Sequence, residues 1–255
     1  VYFIGKDNIP FHCLFWPAQL MGYDPEIHLP DDVPANQYIT FKGGKASASR
    51  GVGLTIQEGL DLFQADGLRY ALAASFPEQA DTDISIEEIA RRINEELVAT
   101  WGNLVNRVLS MVNKNFGEQP SVEGRTEADH AVLSAVDELL TTANSQLERV
   151  ELKAALRTAM DAAQAVNAYL NATEPWKVTK EDPQRAGVLL GTALDAINGV
   201  RIGFAPFLPF STEALSEILG PIEGWIRVPV PTGTPIAKPT PIFTKVDVEA
   251  LLAED

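Results

Sequence analysis

Histidine and cysteine are nearly missing from this chain of 255 residues. Cys13 stands alone, so no disulfide framework can form, and a reducing cytoplasm is the expected setting. His12, His28 and His130 are too scattered to build a metal cluster with one thiol, and no zinc ligands are expected. No apolar run reaches membrane-spanning length, so no membrane partner is expected. The chain also lacks an initial Met. Val1 leads straight into an apolar run ending at Ile4, with no positively charged leader, so a secretory signal is not expected and the chain reads as a piece of a longer protein. Basic residues are the other shortage: 20 Lys and Arg face 35 Asp and Glu, a formal net charge of -15. That balance argues against a wholesale nucleic-acid coat and leaves room only for local basic patches. What is present is a 45% hydrophobic content, enough for one large or two ordinary domains.

The first eighty residues have the pattern of half an α/β unit. Val1 to Ile4 reads as a buried strand ended by Gly5, and Pro10 to Met21 carries apolar residues at helical spacing. A ligand of an open α/β sheet sits at the carboxyl ends of its strands, which is where Gly5-Lys6-Asp7-Asn8 falls. Gly5 permits a tight turn, Lys6 can pair with phosphate, Asp7 can accept from ribose hydroxyls, and Asn8 and His12 can line a small polar pocket. A solvated turn accounts equally well for Lys6 and Asp7. A satisfied core histidine accounts for His12, given Phe11, Leu14 and Phe15 beside it.

Gln37 to Phe41 then alternates as a strand and leads into a glycine-framed loop from Gly43 to Gly53. Its glycines allow close backbone approach, Ser47 and Ser49 can donate to phosphate oxygens, and Lys45 and Arg50 supply positive charge. Composition alone does not separate such a cradle from an ordinary exposed loop. Thr55 and Glu58 form a capping box for a short helix through Leu60 and Phe63, and another helix runs from Asp66 to near Pro77.

From Ser85 onward the pattern is helical. Ser85 and Glu88 read as a second capping box, after which Ile89, Ile93, Leu97, Trp101, Leu104, Val108 and Val112 keep helical period to Phe116-Gly117. Further helices are expected over about 127–147, 150–171 and 183–205, with a last one after a Ser211 cap, making a bundle of four or five members. Asn103 and Arg107 lie on one face of the first helix, each about 100° round from a core position. An outward amide and guanidinium can read the edges of unstacked bases, and Trp176, expected in a loop, offers a stacking surface. A solvated face and a tryptophan that caps the bundle fit the same residues. Arg91, Arg92, Lys114, Lys177 and Lys180 make either a basic track or a solvated face.

Several of these stretches also match a known family in order and spacing. Phe3 to His12, Phe15-Trp16-Pro17-Ala18, Val33 to Tyr38, the Lys45 to Arg50 loop, Leu68-Arg69-Tyr70, Gly102 to Arg107 and Pro175-Trp176 resemble methionyl-tRNA synthetases over nearly the whole chain. The resemblance implies a class I aminoacyl-tRNA synthetase that activates methionine with ATP, releases pyrophosphate and transfers the methionyl group to tRNA-Met. The fold class it implies is α/β plus all-α: the C-terminal half of a Rossmann catalytic domain (1–78, with the signature loop and a stem-contact region), an α-helical anticodon-binding domain (79–230), and a tail (231–255) that packs back on the core. Carried over by position, Gly5, Lys6 and Asp7 would bind ATP and Asn8 and His12 would border the methionine. Lys45, Ser47, Ser49 and Arg50 would act on the triphosphate, with Mg2+ accompanying it. Asn103, Arg107 and Trp176 would read the CAU anticodon.

Two departures qualify the resemblance. The family's Lys-Met-Ser-Lys-Ser loop has Ala46 and Ala48 here in place of its methionine and second lysine, so Arg50, Lys45 and magnesium are expected to compensate. The family's other signature, His-Ile-Gly-His, is absent from these 255 residues, so the fragment alone is expected to be inactive and to need the missing N-terminal half of the enzyme. A monomeric cytoplasmic ligase is the expected whole. The alternative is a non-catalytic tRNA-binding or assembly module that retains the anticodon-binding domain.

Overall fold

The computed structural model describes residues 2–41, 44–45 and 53–248, the pair 44–45 by backbone alone. Strand β1 (Ile4–Gly5) passes through a 3₁₀ turn at Lys6–Asn8 into a helix that opens with a π-type stretch, Phe11–Phe15, and continues as α1 (Trp16–Tyr23). Strand β2 (Ala35–Asn36) returns parallel to β1, pairing Ile4 with Ala35 and Gly5 with Asn36. The expected strand-then-helix unit is therefore present. Its helix, however, buries none of its residues, and Phe11, Leu14, Phe15, Met21 and Tyr23 are all exposed.

A second small sheet has the order β4-β3-β5. Strand β3 (Ile39–Phe41) forms an antiparallel hairpin with β4 (Gly44–Lys45) and pairs in parallel, on its other edge, with β5 (Thr82–Ile84). Strands of two and three residues are too short to show alternation, and neither β4 nor β5 is legible in the sequence. Helix α2 (Ile56–Phe63) starts at the expected capping box: the Glu58 carboxylate accepts from the Thr55 backbone at 2.7 Å, and Thr55 Oγ1 accepts from Glu58 N–H at 3.2 Å. Helix α3 (Ala65–Ala74) follows at once.

The long amphipathic helix is present as α4 (Ile86–Arg91), a π-type stretch from Arg92 to Gly102, and α5 (Asn103–Asn115). All seven core positions that its spacing marks, from Ile89 to Val112, are buried. Only half of the Ser85 box forms. Ser85 accepts from Glu88 N–H, but the Glu88 carboxylate turns instead to Arg91 and Arg92 at 2.8 and 2.9 Å.

Helices α6 (Glu127–Glu148), α7 (Leu152–Thr173), α8 (Pro175–Glu181), α9 (Pro183–Phe204) and α10 (Pro209–Leu219) complete the bundle. Helix α9 is its axis, buried from Ala186 to Phe204 and touching α5, α6, α7, α8 and α10. A helix apolar all round must be enclosed. Gly199 makes this possible, since a Cβ there would come within 2.7 Å of Val136 and 2.8 Å of the Arg227 side chain. Trp101 of the long helix packs on Phe204 with ring centroids 5.1 Å apart. Two expectations are corrected here. Trp176 belongs to a helix, because Pro175 takes the first helical position and Glu174 turns the chain sharply at φ 43. Ser211 lies inside α10, whose first residue is Pro209; its N–H donates to the buried Asp66 carboxylate of α3 at 2.7 Å, which supplies the negative charge a helix start favours.

The α/β unit and the bundle share one apolar core that runs from Phe63 to Phe243. Arg69 locks them together by donating to the carbonyls of Phe207 and Pro206 at 2.8 and 2.9 Å. The segment beyond residue 230 packs back on the long helix, with Asn94 and Val246 exchanging hydrogen bonds of 2.8 and 2.9 Å. Among the described residues no helix is long and apolar enough to cross a membrane.

Candidate functional site

Two groups of the candidate residues fall at opposite structural settings. The first sits in the 3₁₀ turn after β1, at the carboxyl end of a parallel strand, as expected of a ligand turn. There Lys6 Nζ meets the Asp81 carboxylate at 2.8 Å and lies 4.5 Å from the centroid of the Tyr38 ring. The Tyr38 hydroxyl donates to Asp7, and the Tyr38 N–H donates to Asp81 at 2.9 Å. Lys6 and Asp7 are thus tied into a network with Tyr38 and Asp81, which lies 75 residues further along the chain from Lys6. A phosphate that recruits Lys6 would share its ammonium with Asp81 or displace that carboxylate. Tyr38 and Asp81 are the residues that sequence reasoning missed, because nothing local marks a partner so distant.

Asn8 and His12 come together one turn apart. His12 Nδ1 lies 3.1 Å from the Asn8 carbonyl oxygen, an acceptor, so the ring N–H donates there. The ring is half-buried beside Tyr2 and Trp16, with centroids 6.2 and 6.3 Å away. It is neither a core histidine nor fully solvated. The signature loop begins where the β3–β4 hairpin returns at Lys45. Ser47, Ser49 and Arg50 lie outside the described residues, as does the side chain of Lys45.

The second group is in the bundle. Asn103 is exposed, as expected, and its Nδ2 donates weakly to the Ala99 carbonyl at 3.4 Å. Arg107 departs from the expectation of an outward face. It is half-buried, its Nη2 donates to Asn167 Oδ1 of α7 at 2.9 Å, and its guanidinium carbon lies 5.8 Å from the centroid of the Trp176 ring. Burial lowers the Arg107 pKa from its ordinary value, and among the described residues no carboxylate pairs with it to oppose that. Its Nε is buried without a partner. The helix-opening turn at Glu174 carries Trp176 over from α8 to meet Arg107, and Trp176 remains 39% exposed, so one part of the ring is open to stacking. Structure therefore joins Arg107 to Trp176, 69 residues apart in sequence, and adds Asn167, which no motif had singled out.

Of the five cations that read as either a basic track or a solvated face, three are paired with carboxylates: Arg91 and Arg92 with Glu88 and Glu96, and Lys177 with Glu174 at 2.7 Å. The described residues include no group of three or more His, Cys, Asp or Glu side chains that could hold a metal ion.

Comparison with known proteins shows the family to which the chain belongs. Residues 1–109 match the family model of class I tRNA synthetases (M), and residues 119–252 match that of the anticodon binding domain of methionyl tRNA ligase. The chain belongs to the methionyl-tRNA ligase family. Among its relatives, the methionine–tRNA ligase of Roseiflexus castenholzii is 40% identical over the whole chain, and that of Chloroflexus aggregans is 44% identical over 90% of it. A solved Mycobacterium tuberculosis methionyl-tRNA synthetase bound by methionyl-adenylate superposes with a TM-score of 0.86 at 29% identity, covering 95% of this chain and 49% of that one. The chain spans about half the length of the curated relatives it matches, 48% of the Roseiflexus protein and 40% of the Chloroflexus protein. Family membership thus covers both the α/β unit and the bundle.

Proposed function

We propose that this chain is the part of a methionine–tRNA ligase that closes on ATP with one end and reads the anticodon of tRNA-Met with the other. The observation that carries the reading is the guanidinium of Arg107, which meets no carboxylate among the described residues and packs beside the part-exposed ring of Trp176. An uncompensated cation and an open π-face next to exposed Asn103 suit unstacked bases. Arg201 also meets no carboxylate, but it is fully buried and spends its guanidinium on Asn198, Ser216 and the Gly220 carbonyl, whereas the half-buried Arg107 makes one hydrogen bond.

At the other end, Gly5, Lys6 and Asp7 are assigned to ATP and Asn8 and His12 to methionine. As the methionine carboxylate attacks the α-phosphorus, negative charge builds on the departing pyrophosphate, and cations and donors that meet it there lower the barrier. Lys45, Ser47, Ser49 and Arg50 are the residues assigned to that task, with Arg50 replacing the lysine that Ala48 lacks. An unchanged rate of pyrophosphate exchange in an Arg50→Ala variant of the longer protein would rule Arg50 out. The magnesium expected with ATP is assigned to the nucleotide phosphates.

The reaction needs the rest of the longer protein. The exposed apolar face of residues 2–23, with Phe11 at 59% and Leu14 at 61% exposure, supports a partner surface for that missing half. Division into domains at 78 and 230, a monomeric state and a cytoplasmic location belong to the same proposal. Ala48 favours one competing reading, a tRNA-binding module that does no chemistry. Adding the upstream half of a relative and measuring methionyl-tRNA formation separates the two: restored ATP-dependent aminoacylation supports the ligase, and tRNA binding without aminoacylation supports the module.

A further inference from the structure

Among the described arginines, Arg69 and Arg201 donate to carbonyls and neutral side-chain oxygens, and six others pair with carboxylates. Arg91, Arg92, Arg125, Arg149, Arg185 and Arg227 all meet an Asp or Glu. Arg107 shares with the fully buried Arg201 the lack of a carboxylate among the described residues, but it lies half-buried beside the part-open Trp176 ring. Its one hydrogen bond goes to the side-chain carbonyl of Asn167, a neutral amide.

The orientation of that amide is determined by its other contacts. Asn167 Nδ2 lies 3.2 Å from two backbone carbonyls, those of Thr100 in the long helix and Ala163 in α7. Carbonyl oxygens accept and cannot donate, so the NH2 end of the side chain must face them and Oδ1 must face Arg107. Thr100 lies in the π-type stretch that runs directly into Asn103 and Arg107. Such stretches recur at functional sites. Asn167 therefore clamps the reading helix, α7 and the guanidinium in one arrangement. Among the described residues Arg107 Nη1 makes no hydrogen bond, and Nε is buried without a partner.

We propose that Asn167 is a positioning residue for RNA reading: its neutral amide fixes the Arg107 guanidinium beside Trp176 without cancelling its charge, leaving Nη1 for the edge of an unstacked base. This rests on the anticodon-reading proposal above. A carboxylate at 167 would hold Arg107 equally close, but it would neutralise the cation and place an oxygen against the two carbonyls. An amide is the side chain that satisfies all three neighbours and preserves the charge.

The test is equilibrium binding of the 255-residue chain to two synthetic RNA hairpins, one with CAU in its loop and one with the loop changed. Asn167→Ala is expected to cut the preference for CAU about tenfold, the scale of one well-made base contact, while affinity for the changed hairpin stays within twofold. Arg107→Gln is expected to remove the same preference. Adding Asn167→Ala to Arg107→Gln should then change nothing further, because Asn167 acts through Arg107. A general structural role predicts the reverse: lower stability, intact preference and additive losses. Should Asn167→Ala fold poorly, Asn167→Asp carries the test, with loss of the CAU preference expected through neutralised charge. Preference retained in either Asn167 variant, while Arg107→Gln loses it, overturns the positioning role and leaves anticodon reading standing. No preference in the unaltered chain removes both.

Discussion

Residues 2–41 and the bundle around α9 are built from similar apolar residues and use them in opposite ways. In the bundle, the apolar stripe of the long helix and every face of α9 are enclosed. In the first segment Ile4 is the one buried apolar residue, while the helix after it leaves its large side chains in water. The difference separates a unit that carries its own core from one whose apolar face is complementary to something else. It also explains why the segment needs anchoring: its strands are two residues long, and the Lys6–Tyr38–Asp81 network ties it to the start of β5.

The sharpest way to break that contrast is to truncate one aromatic in each region. Trp101→Ala removes a ring fully enclosed against Phe204 and should cost about 3–5 kcal/mol of unfolding free energy. Phe11→Ala should fall within about 0.5 kcal/mol of the unaltered chain, because its ring has little burial to lose. Urea unfolding of both variants measures this, and a Phe11 cost comparable with that of Trp101 would mean the first segment has a core of its own. Once the upstream half is supplied, Phe11→Ser should weaken its association.

A smaller effect is expected at the polar centre of the bundle. Asp129 caps α6 through Thr126, accepts from Tyr169 of α7 at 2.6 Å and pairs with Arg185 of α9 at 2.6 Å. Burial raises its pKa, but the bonds from Arg185, Tyr169 and Thr126 outweigh it and hold the carboxyl well below its ordinary 3.8. A group depressed on folding contributes stability that is complete above its unfolded pKa and is lost as pH falls toward the folded one. Asp129→Asn should therefore cost about 2–3 kcal/mol at pH 7, and the gap to the unaltered chain should narrow below about pH 4. A gap independent of pH would show that shape rather than charge matters. Lower again, Gly199→Ala sets a gain in helix propensity against contacts of 2.7 and 2.8 Å, for a net loss of about 1 kcal/mol by thermal melting.

The same contrast governs what was legible in the sequence. Long helices announce themselves through period and caps, and their core positions were readable because one face of each is buried within the chain itself. The helix at 10–21 was readable as a helix but not as an uncovered one, since its apolar residues look the same whether or not a partner is on the page. Strands β4 and β5 were not readable, because their stability comes from pairing with β3 across the sequence rather than from their own alternation. Thr173-Glu174-Pro175 looked like a loop because Pro and polar residues punctuate. Here a left-handed Glu174 puts Pro175 at the one helical position where its missing N–H costs nothing. In the bundle site Asn103, Arg107 and Trp176 were legible as types, through the resemblance. Asn167 was not, since an asparagine on a helix carries no signal until its two carbonyl neighbours are known.

A further small effect on stability is the one that best separates anchoring from function. Lys6 and Asp81 are 31% and 49% exposed in their side chains, so water and salt screen the pair and Lys6→Ala should cost less than about 1 kcal/mol. If Lys6 meets the nucleotide, the same variant should slow pyrophosphate exchange in the reconstituted longer protein by about 10²-fold, the scale of losing one preorganised group at the developing charge. Asp81→Asn tests the exchange of partners directly. It weakens the hold on Lys6 while keeping the lysine, so it should leave pyrophosphate exchange intact or raise it if Asp81 competes with phosphate. A loss in Asp81→Asn as large as in Lys6→Ala would mean that the network itself, rather than the cation it restrains, is what the site requires.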